Sequence, residues 1–100
     1  MSTSSTTTNN HPHPGEWLVA EMLEPMGISQ YRLAQDLHVA ESQVSRIVRG
    51  QAGITAAMAL KLERYFGMDA TFWLNLQYNY DLAEARATVD TRDITPHTAA

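Results

Sequence analysis

The chain has no cysteine among its 100 residues, and this absence excludes several kinds of site. Disulfide bonds, thiolate nucleophiles and cysteine-ligated metals all require that side chain. The sequence also lacks an apolar run of about 18 residues, and its N-terminus has no basic segment followed by an apolar one, so it predicts neither a membrane span nor a signal peptide. We therefore expect a cytoplasmic protein with no membrane partner.

Residue patterns typical of catalysis are also missing. The serines and threonines have no histidine and acid at catalytic spacing, and there is no glycine-rich phosphate motif. Glu21 and Glu24 are three residues apart, a spacing typical of a solvated helix face. His11 and His13 have no further histidine or cysteine nearby, which makes them a poor set of metal ligands. We predict no enzymatic activity, no cofactor and no metal site.

Basic charge is in short supply overall, because 11 acidic and 7 basic residues give a formal net charge of −4. Residues 1–28 hold three acids and no base, residues 29–64 hold three acids and five bases, and residues 65–100 hold five acids and two bases. The segments therefore carry −3, +2 and −3. Only the central segment has the positive charge that favours nucleic-acid binding. Because this charge is modest, it favours two chains acting together.

The length and the 44% apolar content are sufficient for one small hydrophobic core. Residues 1–12 are mostly serine, threonine and asparagine, so we predict a disordered N-terminal tail. Residues 13–87 form the predicted domain, and the polar residues 88–100 form a C-terminal tail. Helical periodicity within the domain predicts an all-α, compact five-helix bundle, and we expect Pro25 and Gly27 to end its first helix.

Residues 29–50 have the spacing of a helix-turn-helix unit. Ser29 can cap a helix whose apolar residues share one buried face, namely Leu33, Ala34 and Leu37. His38 is predicted to take a left-handed conformation in the turn, and Val39 to fill the corner. The small Ala34 allows the second helix to pass close by.

The second helix of this unit has two distinct faces. Its apolar side comprises Val44, Ile47 and Val48, and Gly50 is predicted to end it. The opposite side is short, polar and basic, as expected for a recognition helix in a major groove, where arginine can pair with guanine. Counting the start of the preceding helix, the candidate DNA-binding residues are Gln30, Tyr31, Ala40, Glu41, Ser42, Gln43, Ser45, Arg46 and Arg49.

The last and longest predicted helix, about residues 70–87, carries two apolar stripes. One comprises Phe72, Trp73, Leu76, Tyr80 and Ala83, and the other Leu74, Tyr78, Leu82 and Ala85. A small domain buries one such stripe well, and we assign Trp73 to the core. The second stripe is either a dimer or partner surface, represented by Leu74, Tyr78 and Leu82, or a wide internal contact. Trp17 is either a core-edge residue or part of a partner surface.

Several motifs resemble those of known proteins. The pattern Q-x-x-x-A at 30–34, Val39, V-S-R-I at 44–47 and Arg49-Gly50 resembles the Cro/repressor-like (XRE) helix-turn-helix family. Together with H-P-G-E at 13–16, G-I-T at 53–55, M-A-L at 58–60 and F-W-L-N-L-Q at 72–77, it resembles HigA-type antitoxins, the HigA/VapI-like addiction module antidotes, over about residues 13–87. His38 departs from the usual glycine, and Ala40 from the usual serine or threonine cap.

The resemblance implies a lambda-repressor-like DNA-binding domain and a specific function. By this resemblance, the protein would form a homodimer that binds an inverted repeat in double-stranded operator DNA and represses its own operon. It would also neutralise a HigB-type, RelE-like mRNA-cleaving toxin. The alternatives are a free-standing XRE-type repressor without a toxin, or a protein-interaction module that has lost DNA binding. The small, basic outward face of the second helix favours DNA binding.

Overall fold

The computed structural model describes residues 11–98, which contain five helices and no strand. The first, α1, covers residues 14–26 and consists of α-helical Pro14–Leu18, π-helical Val19–Leu23 and α-helical Glu24–Met26. The others are α2 (Gln30–Leu37), α3 (Glu41–Val48), α4 (Ala56–Phe66) and α5 (Ala70–Thr88). The predicted all-α fold is confirmed. Most of the predicted N-terminal tail, residues 1–10, lies outside the described residues.

None of the five helices combines the length and the apolar character that crossing a membrane would require, within residues 11–98. After α5, residues 89–98 contain no helix and are exposed.

Side chains cap the starts of four helices. Ser29 Oγ accepts the Arg32 N–H at 3.0 Å at the start of α2, and Thr55 and Asp69 make the corresponding contacts before α4 and α5. His13 Nδ1 accepts the Gly15 N–H at the start of α1. The start of α3 has no side-chain cap, because Ala40 offers only a methyl group.

The prediction that Pro25 ends the first helix is wrong. In the π-helical turn the Glu24 N–H donates to the Val19 carbonyl, five residues earlier. In a regular α-helix, a proline ring clashes with the carbonyl four residues before it. A π turn moves the carbonyls away from their α-helical positions, so Pro25 is accommodated inside α1. Gly27 ends the helix instead, with the left-handed angles φ 66° and ψ 32°.

The core is a cluster of buried apolar residues from all five helices and the loop after α3: Leu18, Leu23, Leu33, Ala34, Leu37, Val44, Ile47, Ile54, Met58, Ala59, Leu62 and Trp73. Trp73 has no exposed surface, which confirms its assignment to the core. Trp17 is half-buried and packs edge-to-face on Trp73 and Phe72, with ring centroids 5.6 and 5.0 Å apart. Trp17 is therefore a core-edge residue.

A hydrogen-bonded network joins α2 to α4. The Tyr65 hydroxyl donates to Asp36 Oδ2 at 2.6 Å, and Arg32 Nε donates to the same oxygen at 2.9 Å. The Tyr65 hydrogen bond, followed by Arg32, lowers the pKa of Asp36, and the same bond raises the pKa of Tyr65. Lys61 Nζ also donates to the Leu37 carbonyl at 3.3 Å. These contacts hold α2 against α4.

Candidate nucleic-acid interface

The turn between α2 and α3 has the predicted conformation. His38 lies in the left-handed region at φ 61° and ψ 44°. The next N–H, of Val39, donates to the Ala34 carbonyl at 3.0 Å, which closes the end of α2. Val39 is half-buried and packs against the core. Ala34 is 2% exposed, so its small side chain lies inside the α2 and α3 packing, as expected.

The two faces of α3 are oriented as the sequence predicts. Val44 and Ile47 are buried and Val48 is half-buried, so this side fixes α3 to the domain. The DNA-binding candidates that are exposed, in α3 and at its two caps, are Ala40, Glu41, Ser42, Gln43, Arg46 and Arg49. Ser45 differs, because it is half-buried. Arg49 Nε lies 3.4 Å from the Ser45 carbonyl, to which it donates, so the arginine folds back along the helix.

A groove runs between α3 and the loop that follows it. It brings four of the predicted residues together, namely Ala40, Ser42, Gln43 and Arg46. The opposite wall includes Gly53 and Thr55. Neither residue is among the predicted site residues, although the G-I-T motif at 53–55 marks their position. The candidate interface therefore includes the loop as well as α3.

The α3–α4 loop is attached to α5 by one side chain, Gln77. Its Oε1 accepts the Ile54 N–H at 2.7 Å, and its Nε2 donates to Asp81 Oδ1 at 2.9 Å. A Cβ at Gly53 would lie 2.9 Å from the Gln77 Cδ, so the amide packs closely on the loop. Gln77 is the last residue of the F-W-L-N-L-Q motif, from which no role was predicted for it. The structure shows that Gln77 fixes one wall of the groove.

The remaining candidates lie at the start of α2. Tyr31 is 57% exposed, and its hydroxyl accepts a hydrogen bond from Gln35 Nε2 at 3.0 Å. Gln30 is half-buried and lines a second groove, between α1 and α2, with Ser29 and Glu24. Gln30 therefore does not line the groove beside α3.

The second stripe of α5 is partly open to solvent in the single chain. Tyr78 is 65% exposed and Leu82 is 39% exposed, while Leu74 is half-buried. Leu74 and Tyr78 line a shallow groove together with Asn75, Gln77 and Asp81. Tyr78 and Leu82 are thus exposed, whereas Leu74 packs partly against the core, and the role of this stripe as an interface remains a prediction.

Comparison with known proteins agrees with this geometry. The helix-turn-helix family model matches residues 19–73. The chain is 58% identical over 73 residues to virulence-associated protein I of Dichelobacter nodosus, covering 73% of this chain and 68% of that protein. It is 42% identical over 72 residues to antitoxin HigA-1 of Vibrio cholerae, covering 72% and 68%.

A solved structure is similar over nearly the whole chain. It contains the Pseudomonas aeruginosa antitoxin HigA with the higBA promoter, and the two chains superpose with a TM-score of 0.83 and 43% identity. The match covers 89% of this chain and 100% of that one. The chain belongs to the XRE-type helix-turn-helix family and, within it, to the HigA-like proteins.

Proposed function

We propose that this protein binds operator DNA through α3 and acts as the antitoxin of a toxin–antitoxin pair. The observation that carries the proposal is the exposed polar face of α3, which presents Ser42, Gln43, Arg46 and Arg49 together. A helix of this length and chemistry fits a B-DNA major groove. The similar Pseudomonas aeruginosa antitoxin, whose structure includes its promoter, supports the same assignment.

Arginines 46 and 49 receive different roles. Arg46 is exposed and lines the groove with Ser42 and Gln43, which are the types of side chain that reach base edges. We therefore propose that Arg46 binds the base edge of a guanine. Arg49 lies at the C-terminal cap of α3 and bends back to the Ser45 carbonyl, so we assign it a phosphate.

The other candidates lie at the edges of this surface. Gln30 and Tyr31 begin α2, and we assign them phosphate contacts through their amide and hydroxyl groups. Ala40 precedes α3 without a hydroxyl and contributes only its backbone. Glu41 repels phosphate but suits the positive end of the α3 dipole, and its carboxylate can accept from a cytosine amino group.

A homodimer on an inverted repeat would supply the affinity that one chain lacks. The central segment carries only +2, and each chain offers one short recognition helix. Two helices in successive major grooves would read half-sites about 34 to 36 Å apart. The open stripe on α5, with Leu74, Tyr78 and Leu82, is the surface that we assign to the second copy, because a two-fold interface needs a self-complementary apolar patch.

A HigB-type toxin is the proposed protein partner, and this part rests mainly on the resemblance to HigA-like antitoxins. A basic, RNA-cleaving toxin would be attracted to the two acidic segments, 1–28 and 65–100. On α1 the exposed Glu16, Glu21 and Glu24 supply such charge. The face of α3 would then stay free, so the toxin-bound complex should still bind operator DNA.

The decisive DNA experiment compares three arginine variants on the promoter of the protein's own gene and on random DNA. Arg46→Ala should lose about 1 to 3 kcal/mol on the promoter and relax the preference at one base position. Arg49→Ala should lose similar amounts on both DNAs. Arg86→Ala is the matched control, because it removes an exposed arginine from α5 and should bind as the unmodified protein does. Equal losses for Arg46→Ala on both DNAs would restrict Arg46 to phosphate binding.

Two further measurements test the partners. Footprinting and sedimentation should show two chains on two half-sites, and Tyr78→Asp should weaken the dimer by placing a charge in its interface. One protected half-site with one chain would exclude the dimer.

The product of the adjacent gene should co-purify with this protein and arrest growth when it is expressed alone. A harmless neighbour that does not bind would favour a free-standing repressor.

A further inference from the structure

The first turn of α1 packs on the last turn of α3, and the point of contact requires glycine. A Cβ on Gly15 would lie 2.7 Å from the carbonyl carbon of Ile47 and 2.9 Å from the Cα of Val48, and would also meet the Ile47 carbonyl oxygen. Real Cβ contacts closer than 3.0 Å are essentially never found. The opposing atoms belong to the backbone, which cannot rotate away as a flexible side chain can. Any side chain at position 15 therefore forces the two helices apart.

His13 holds this turn of α1 in place through two contacts and also lies near Gly50, which follows α3. Its Nδ1 accepts the Gly15 N–H at 2.9 Å and so caps the helix. Its ring packs edge-to-face on Tyr80 of α5, with centroids 4.9 Å apart. The ring also faces Gly50, where a Cβ would lie 3.8 Å from the His13 Cδ2. Pro14, which lies between His13 and Gly15 in the chain, is buried at the first helical position. His13 thus links α1 to α5 and lies beside the end of α3.

The contacted turn belongs to the recognition helix. The Ile47 carbonyl accepts the Gly50 N–H at 3.0 Å and closes α3, and Arg46 and Arg49 flank that turn on the exposed side. Binding groups must be held within about 0.5 Å of their productive positions. Contacts to base edges depend on this accuracy, whereas phosphate contacts carry no sequence information. A shift of the turn should therefore reduce sequence preference more than it reduces non-specific affinity.

We propose that residues 13–15 are positioning residues for the recognition helix. Gly15 sets the distance between α1 and α3, and His13 fixes the orientation of the turn that carries Gly15. This inference rests on the proposed DNA-binding function. It gives the H-P-G-E segment a role in choosing the DNA sequence, which is exerted through α3.

The test uses the full chain and two DNA fragments of equal length, the promoter of its own gene and a random sequence. Affinities are measured by fluorescence anisotropy and corrected for the folded fraction from circular dichroism. Gly15→Ala should lower the preference for promoter over random DNA by about tenfold, with affinity for random DNA within about twofold. Tyr65→Phe is the control for lost stability, because it breaks the Asp36 contact between α2 and α4. It should keep the full preference.

An equal loss of preference in Gly15→Ala and Tyr65→Phe, or no loss in Gly15→Ala, overturns the inference. If Gly15→Ala does not fold, His13→Ala decides, with an expected loss of preference of about fivefold. His13→Asn keeps a capping oxygen and should recover part of that loss. Unchanged preference in His13→Ala overturns the inference as well. Failure of the proposed function is recognised separately, because the unmodified protein would then show no preference for the promoter.

Discussion

Replacing Gln77 with alanine leaves the Ile54 N–H without its acceptor. This N–H donates to Gln77 Oε1 at 2.7 Å, and Ile54 is 4% exposed, so solvent reaches the group poorly. A buried donor without a partner costs about 1 to 3 kcal/mol. Gln77 itself is half-buried and Gly53 is exposed, which lets water enter part of the vacated space. We therefore expect a loss of about 1 to 2 kcal/mol in the free energy of unfolding.

In a domain of this size such a loss lowers Tm by about 4 to 16 °C. Urea unfolding followed by circular dichroism measures the free energy, and hydrogen exchange of the Ile54 amide locates the effect. Asn79→Ala is the matched control, since it truncates an exposed amide on the same helix. Gln77→Glu keeps an acceptor for Ile54, so the Ile54 amide should stay protected. The same variant places a second carboxylate beside Asp81. A Gln77→Ala midpoint equal to that of Asn79→Ala, with unchanged Ile54 exchange, would refute the reasoning.

Three further outcomes are expected. Trp73→Ala should cost about 3 to 5 kcal/mol and abolish cooperative thermal unfolding, because Trp73 has no exposed surface and the whole domain is only marginally stable. The pKa of Asp36 lies below its ordinary 3.8 in the folded state, so its stabilising contact is complete above about pH 5 and is lost as acid protonates the carboxylate. The difference in urea midpoint between the unmodified protein and Tyr65→Phe should shrink accordingly as the pH falls from about 5 through the lowered pKa of Asp36. Ala40→Ser should add about 1 kcal/mol by supplying the missing cap of α3, measured by the same unfolding assay.

Local signals in the sequence were sufficient to predict most helix boundaries. Ser29 caps α2 as expected, Thr55 and Asp69 are caps of the same chemical kind for α4 and α5, and Gly67 ends α4 in a left-handed conformation. His38 takes the same conformation in the turn before α3. Each of these features depends on one side chain and on backbone groups within a few residues. Each of these interactions can therefore be predicted from a short stretch of sequence. The apolar periodicity then predicts which face of each helix is buried.

Contacts between distant residues could not be predicted in the same way. Gln77 and Ile54 are 23 residues apart, and no pattern in either segment indicates their hydrogen bond. The close approach of Gly15 to Ile47 likewise depends on how α1 packs across α3. The π-helical turn that accommodates Pro25 is another case, because single-residue rules assign proline to the end of a helix. Packing between elements decides the first two cases, whereas the third is a change of hydrogen bonding within α1.

The ends of α3 depend on these distant contacts, because no side chain caps the start of this helix. Ala40 supplies no cap at the start of α3, so the helix is fixed by its buried face and by its neighbours. The turn of α1 at Gly15 supports its end, and Gln77 fixes the loop that follows. Gln77 also lines the open groove on α5, next to Tyr78. The surface that we assign to a second chain and the loop beside the proposed DNA-binding face therefore share one side chain, and a partner that engages the Gln77 amide would act on the loop directly.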